Sequence, residues 1–276
     1  MARKKTHSVR EAVIRVIDTS PHAGRLARKM RRWFLSSVAP YLNRVELPLS
    51  YTVLDRLKVR NRRFDDAFRS GAWTSTGESL SGDGSSLAAT EKLRAALPGT
   101  MEELAVKTLL DVPCGDWNWM SHVDLPVERY IGGDIVTSLI RQNQERFSNP
   151  HRTFRIIDLC TDELPAADLL LCRDALVHFS FRDIWRAIGN MKKARISYIA
   201  TTTFPATGMN IDQRTGIPWR HLNLEAAPFS FPQPFRTLVD DFNRPDQILA
   251  FWRVSDLPND RKVNSALKPG RLAGAL

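Results

Sequence analysis

Three stretches carry residues whose types and spacing suit chemistry. Residues 109–119 read LLDVPCGDWNW, an apolar lead followed by an acid, a Pro-Cys-Gly turn and two tryptophans around an asparagine. Asp134 follows Asp111 by 23 positions at the end of RYIGGDI, where a carboxylate can accept both hydroxyls of a ribose. In CRDALVHFS, His178 follows Asp174 by four, so a helical turn would put both on one face. An imidazole or carboxylate of suitable pKa there can take a proton from a hydroxyl or an acidic N–H. Each feature also has a plain structural reading. The first stretch can be a sharp turn with Trp117 and Trp119 packed over it, and Cys114 a small buried thiol rather than a nucleophile. Asp134 can cap a helix, Asp174 can order its loop, and His178 can simply pack.

The elements that must position these residues alternate. KTLLDV, RYIGGDI, TFRIIDL, ADLLLCR and ISYIATTTF read as five short strands, and TSLIRQNQERF (137–147) and SFRDIWRAIGNMKK as helices between them. Ser180 and Asp183 stand at N-cap and N3 spacing. An earlier helix, LAATEKLRAALPG, takes Ser85 or Ser86 as its cap and Pro98-Gly99 as its stop. TLVDDF and QILAFWRVSDL read as a terminal strand pair. The expected fold class is therefore α/β, a seven-stranded, mostly parallel sheet whose last strand pair is antiparallel. Ligands of such sheets lie beyond the carboxyl ends of the strands. A pyrophosphate would need GxGxxG in the first loop, and here only Gly115 is present, while Pro113 has no N–H to donate.

The net charge of +10 is unevenly placed. Residues 1–44 hold eleven Lys/Arg against Glu11 and Asp18, or +9, and the rest holds 29 basic and 28 acidic residues, or +1. A basic arm on a nearly neutral body argues against a protein built throughout to hold nucleic acid. Within the arm, RLARKMRRWFLSSV winds into an amphipathic helix, suited to an anionic membrane surface or to docking on the body. No run of 18 apolar residues occurs, and three cysteines without CxxC spacing argue against a disulfide framework or zinc knuckle. A reducing cytosol is the expected compartment, and no metal is expected.

LLDVPCGDWNW resembles the first motif of class I S-adenosylmethionine-dependent methyltransferases, [DE]xGxGxG, with Pro113 and Trp117 in place of two glycines. The resemblance implies a Rossmann-like fold and S-adenosyl-L-methionine as cofactor. Asp111, Pro113, Cys114, Gly115 and Asp116 would face its methionine end. Asp134, with Ile135 beside it, would hold the ribose, and Asp158 and Leu159 the adenine. Cys172 and Arg173 would flank the cofactor at the end of the fourth strand, with Asp174 and His178 on the acceptor side. The [DNS]PP[YFW] motif of enzymes that methylate base amines is replaced by RDAL, which disfavours a nucleic-acid acceptor. WTSTGESLSGDGS, DVPCGDWNW, YIGGDIV, CRDALVHFS, TTTF and WRHLNLEAAPFSFPQP occur in this order over roughly residues 65–255. Together they resemble a bacterial methyltransferase family associated with polysaccharide or secondary-metabolite genes.

The expected layout is a basic helical arm over 1–64, a cofactor-binding domain over 65–258 and a loosely ordered tail over 259–276. Residues 65–105 would supply a lid and a helix, and 204–235 a proline-stiffened acceptor loop. Trp73, Trp117, Trp119, Trp219, Arg220 and Asn223 are the candidate acceptor contacts, suited to a small polar acceptor such as a saccharide. The expected reaction is O-methylation of a carbohydrate or metabolite. The alternatives are an RNA-directed methyltransferase, a non-catalytic cofactor binder working through its arm, and an NAD-dependent oxidoreductase.

Overall fold

The computed structural model describes residues 59–73, 77–241 and 244–259. Residues 1–58 of the basic arm, with its amphipathic stretch, and the tail beyond Asn259 lie outside the described residues.

Seven strands form one sheet: β1 (Thr108–Asp111), β2 (Arg129–Asp134), β3 (Arg152–Ile156), β4 (Leu169–Cys172), β5 (Tyr198–Thr203), β6 (Arg236–Val239) and β7 (Ile248–Arg253). Their order is β3-β2-β1-β4-β5-β7-β6. Neighbours from β3 to β5 pair in parallel, and β7 runs antiparallel to both β5 and β6. The α/β architecture expected from the alternation is therefore present, antiparallel terminal pair included. Chain order reverses between β1 and β4, so their carboxyl ends flank the switch point where open α/β sheets bind ligands.

The inner strands are apolar because both faces are covered, whereas the edge strands β3 and β6 keep exposed positions. Leu110, Val112, Leu170 and Cys172 enter a core on one face, while Leu109, Leu169 and Leu171 enter a second core on the other. Among the described residues four α-helices accompany the sheet: α1 (Val59–Arg69), α2 (Glu91–Glu103), α3 (Thr137–Phe147) and α4 (Phe181–Lys193). The Asp183 N–H donates to Ser180 Oγ at 3.2 Å, the cap that the spacing predicts for α4.

Two local expectations are corrected. α2 does not stop at Pro98-Gly99 but runs through both to Glu103. Leu93, Leu97 and Met101 are buried one turn apart, so tertiary burial outweighs the hydrogen bond that Pro98 cannot make. Nor does α2 start at Ser85 or Ser86. Ser86 Oγ accepts the Ala89 N–H at 3.2 Å, capping a turn that precedes Glu91. After β1 the chain forms a short 3-10 turn, Met120–His122. α1 spans the boundary drawn at residue 64, and Phe64 contacts the rings of Trp73 and Phe179. Among the described residues no helix is long and apolar enough to cross a membrane.

Candidate active site

The turn after β1 is closed upon itself and upon β2. Gly115 takes φ +54°, and its N–H donates to Asp134 Oδ2 at 3.1 Å. The Cys114 N–H donates to the Gly133 carbonyl at 2.8 Å, and the Asn118 N–H to Asp116 Oδ1 at 3.3 Å. Asp134 Oδ1 accepts the Val136 N–H at 2.9 Å. The Val136 and Gly115 N–H groups, with the Ile135 N–H also acting on it, use part of the about four acceptor sites of a carboxylate and leave room for a ligand hydroxyl. Burial raises Asp134 to about 6, against the pull of the Val136 and Gly115 N–H groups. Half-buried Ile135 stands beside it. Asp111, also buried, accepts the Tyr130 hydroxyl at 2.6 Å, and burial raises it to about 7.

A strap over residues 78–86 lies on this turn. Ser79 Oγ, Ser81 Oγ and the Leu80 N–H all donate to the Asp116 carboxylate, at 3.0, 3.0 and 2.7 Å. The Asp116 N–H returns to Ser81 Oγ at 2.8 Å. Asn118 Nδ2 donates to Glu78 Oε1 and to the Ser85 carbonyl. A Cβ on Gly115 would stand 2.2 Å from Ser81 Oγ, so the strap requires glycine there. At its far end the strap reaches β4, where a Cβ on Gly84 would lie 3.1 Å from Asp174 Oδ2.

Beyond β4 and β5 a second group gathers. Asp174 takes φ +53°, its N–H donates to Thr202 Oγ1 at 2.8 Å, and its Oδ2 lies 3.4 Å from Arg244 Nη1. Its other oxygen, Oδ1, is buried with no partner. His178 Nδ1 lies 3.1 Å from the Pro218 carbonyl. A carbonyl only accepts, so Nδ1 carries the proton and Nε2 keeps its lone pair. Burial lowers the His178 pKa, opposed by the Asp174 charge, so the ring is neutral at pH 7. The Trp73 indole stands edge-on to His178 at 6.2 Å, and the Arg244 guanidinium lies 4.2 Å over Trp219. Both indole Nε1 groups are buried without partners. Arg220 donates its backbone N–H to the Val177 carbonyl, its Nε and Nη2 are buried and unpartnered, and burial lowers it to about 10.

Asp174, His178, Trp73, Trp219 and Arg220 are thus gathered at one edge of the sheet. Arg244 joins them without having been singled out. It sits in the β6–β7 connection, and because β7 runs antiparallel to β5 that connection returns to the carboxyl edge. An arginine before Pro245 in that connection was the one available signal.

Other candidates are placed differently. Arg173 forms a bidentate pair with Asp240, at 2.9 and 2.8 Å, and lies over the buried Trp119 ring. Trp117 packs among Tyr130, Phe147 and Phe154 beneath the Arg152 guanidinium. Asn223 spends its amide on the Pro205 and Thr207 carbonyls and on the Glu225 and Ala226 N–H groups, ordering the 204–235 loop. Asp158 pairs with Arg60 at 3.0 Å and accepts the Cys160 N–H, while Leu159 is buried in the core. Cys114, Cys160 and Cys172 are free and buried. Burial raises Cys114 well above the usual thiol value and Cys172 to about 12, so neither is a thiolate at neutral pH. Among the described residues no group of three His, Cys, Asp or Glu side chains is placed to hold a metal ion.

No family model matches the chain, and no curated protein matches it either. Solved structures similar to it include the methyltransferase domain of bacterial CtHen1-C, at 14% identity, 42% of this chain, 66% of that one and TM-score 0.38. The N-methyltransferase NodS from Bradyrhizobium japonicum matches at 15% identity, over 60% of this chain and 96% of that one, with TM-score 0.46. Human N-acetylserotonin methyltransferase in complex with SAM matches at 13% identity, over 72% and 68%, with TM-score 0.41. The chain spans just under two thirds of the first of these. At such identities and TM-scores the likeness extends no further than the layout of the sheet.

Proposed function

We propose that the protein is an S-adenosylmethionine-dependent methyltransferase acting on an oxygen of a small polar acceptor, a carbohydrate or metabolite. The observation that supports it most is the Asp134 carboxylate at the end of β2, clamped to the Gly115 N–H beside the switch point, with acceptor capacity to spare. That arrangement suits a ribose diol next to a turn too poor in glycine for pyrophosphate. Asp134 would hold the ribose and the turn over 111–116 the methionine portion. Asp158, bridged to Arg60, would border the adenine. When bound, the cofactor supplies an electrophilic methyl group on a sulfonium.

The remaining work falls to the chain itself. His178 Nε2, with its lone pair free, would take the proton of the acceptor hydroxyl. Asp174 lies near enough to raise the pKa of that ring and stabilise the imidazolium that results. The strap over 78–86 excludes water from the transfer. A thermal-shift comparison checks this reading. S-adenosylhomocysteine should raise the melting temperature and NAD should not, and the reverse order would favour an oxidoreductase.

A further inference from the structure

The polar groups left without partners on the acceptor side are unequal in kind. Among the described residues, Trp73 Nε1, Trp219 Nε1 and Arg220 Nε and Nη2 are buried donors with no acceptor. Against them stands a single buried acceptor, Asp174 Oδ1. Arg244 uses Nη1 on Asp174 and on Gln247 Oε1 at 3.1 Å. Among the described residues no acceptor meets its Nε and Nη2, the two nitrogens that face a carboxylate or phosphate as a fork. Buried donors left unpaired cost about 1–3 kcal/mol each, so a complementary ligand supplies acceptors. Charge is balanced before a ligand arrives, with Asp212 acting on Arg220, Asp174 on Arg244, and a His178 that burial keeps neutral, so the preference rests on the unpaired donors.

We infer that the acceptor is an oxygen-rich anion, a hydroxylated carboxylate or phosphate of the uronate or sugar-phosphate kind, recognised by Arg244 on its Trp219 platform. Its anionic oxygens lie against the Arg244 fork, ring and hydroxyl oxygens accept from the two indole N–H groups, and the reacting hydroxyl donates towards Asp174 and His178. The donor excess disfavours an amine, which would bring hydrogens to a site already full of them. The placement rests on the methyltransferase reading for the identity of the transferred group, but not for the anion preference.

The test is a thermal-shift and calorimetric titration of the full chain, loaded with S-adenosylhomocysteine, against glucuronate, glucose 6-phosphate, glucose and glucosamine. At least one anion should bind about tenfold more tightly than glucose, with glucosamine no better than glucose. Comparing glucuronate with glucose 6-phosphate tells carboxylate from phosphate. Arg244→Gln should bring the anions to within about twofold of glucose, and Arg244→Lys, which keeps charge but loses the fork, should fall between. If Arg244→Gln does not fold, Trp219→Phe keeps the ring and deletes the buried N–H, and must weaken binding of the preferred anion. Equal binding of glucose and both anions overturns the proposal, as do tighter binding of glucosamine, an anion preference that survives Arg244→Gln, and failure of both anions to bind. S-adenosylhomocysteine is titrated alone as well. If it does not bind, the methyltransferase reading falls while the anion preference is still measured on the free protein.

Discussion

The turn after β1 and the cluster after β4 lie at the carboxyl ends of neighbouring strands, yet their polar groups are used in opposite ways. In the turn, the N–H groups of Cys114, Gly115, Asp116 and Asn118 are each taken by the protein itself. In the cluster, two indole nitrogens, a carboxylate oxygen and part of a guanidinium are buried without partners. Buried polar groups are nearly always paired, so a concentration of orphans marks a place completed by something else. On the proposed reading the turn is framework beside the cofactor, and the cluster is where an acceptor would complete the unpaired groups.

The largest expected effect tests the foundation of the cluster. Arg173→Met leaves the Asp240 carboxylate, 1% exposed, without its cation and should cost about 3–5 kcal/mol in urea unfolding. A cost below about 1 kcal/mol would mean that the pair does not anchor the start of the Asp174 loop. Next in size, Gly115→Ala puts a Cβ 2.2 Å from Ser81 Oγ at φ +54° and should cost about 2 kcal/mol or more. Hydrogen exchange over 78–85 should rise with it, and unchanged exchange would detach the strap from the turn.

Two smaller effects are read in pH. Asp174 raises the His178 pKa, so Asp174→Asn should move the acidic limb of kcat/KM, already below 6.5, to still lower pH. A limb that stays put would remove Asp174 from contact with the base. For Asp111 and Asp134, burial raises the folded values from 3.8 to about 7 and about 6. A carboxyl raised on folding adds stability in full below its unfolded pKa, and that contribution is lost as pH rises through the folded value. The free protein should therefore lose stability between about pH 4 and 7, and Asp111→Asn should flatten that slope in thermal melts.

The same contrast explains what was legible in the sequence. The inner strands showed because two covered faces demand unbroken apolar runs such as LLLC, and α4 showed because its Ser180 cap is local chemistry. Asp111 and Asp134 were legible because strand ends place them. α2 was misjudged at Pro98, since the burial that carries the helix through comes from residues distant in sequence. Arg244 carried only the weak signal of its place before Pro245, because its partners, Trp219 and Asp174, stand on other loops that only the antiparallel return of β7 brings near. Trp117 and Asn223 attracted notice by residue type, but their surroundings, an aromatic core and a loop interior, decide their work.

The central claim, that the β1–β2 edge holds S-adenosylmethionine through the Asp134 carboxylate, is tested most directly by titration calorimetry of S-adenosylhomocysteine against the parent chain and Asp134→Ala. The account predicts saturable binding to the parent and a loss of at least tenfold, about 1.4 kcal/mol, in the variant. Equal affinity in a variant with an intact melting transition would contradict it.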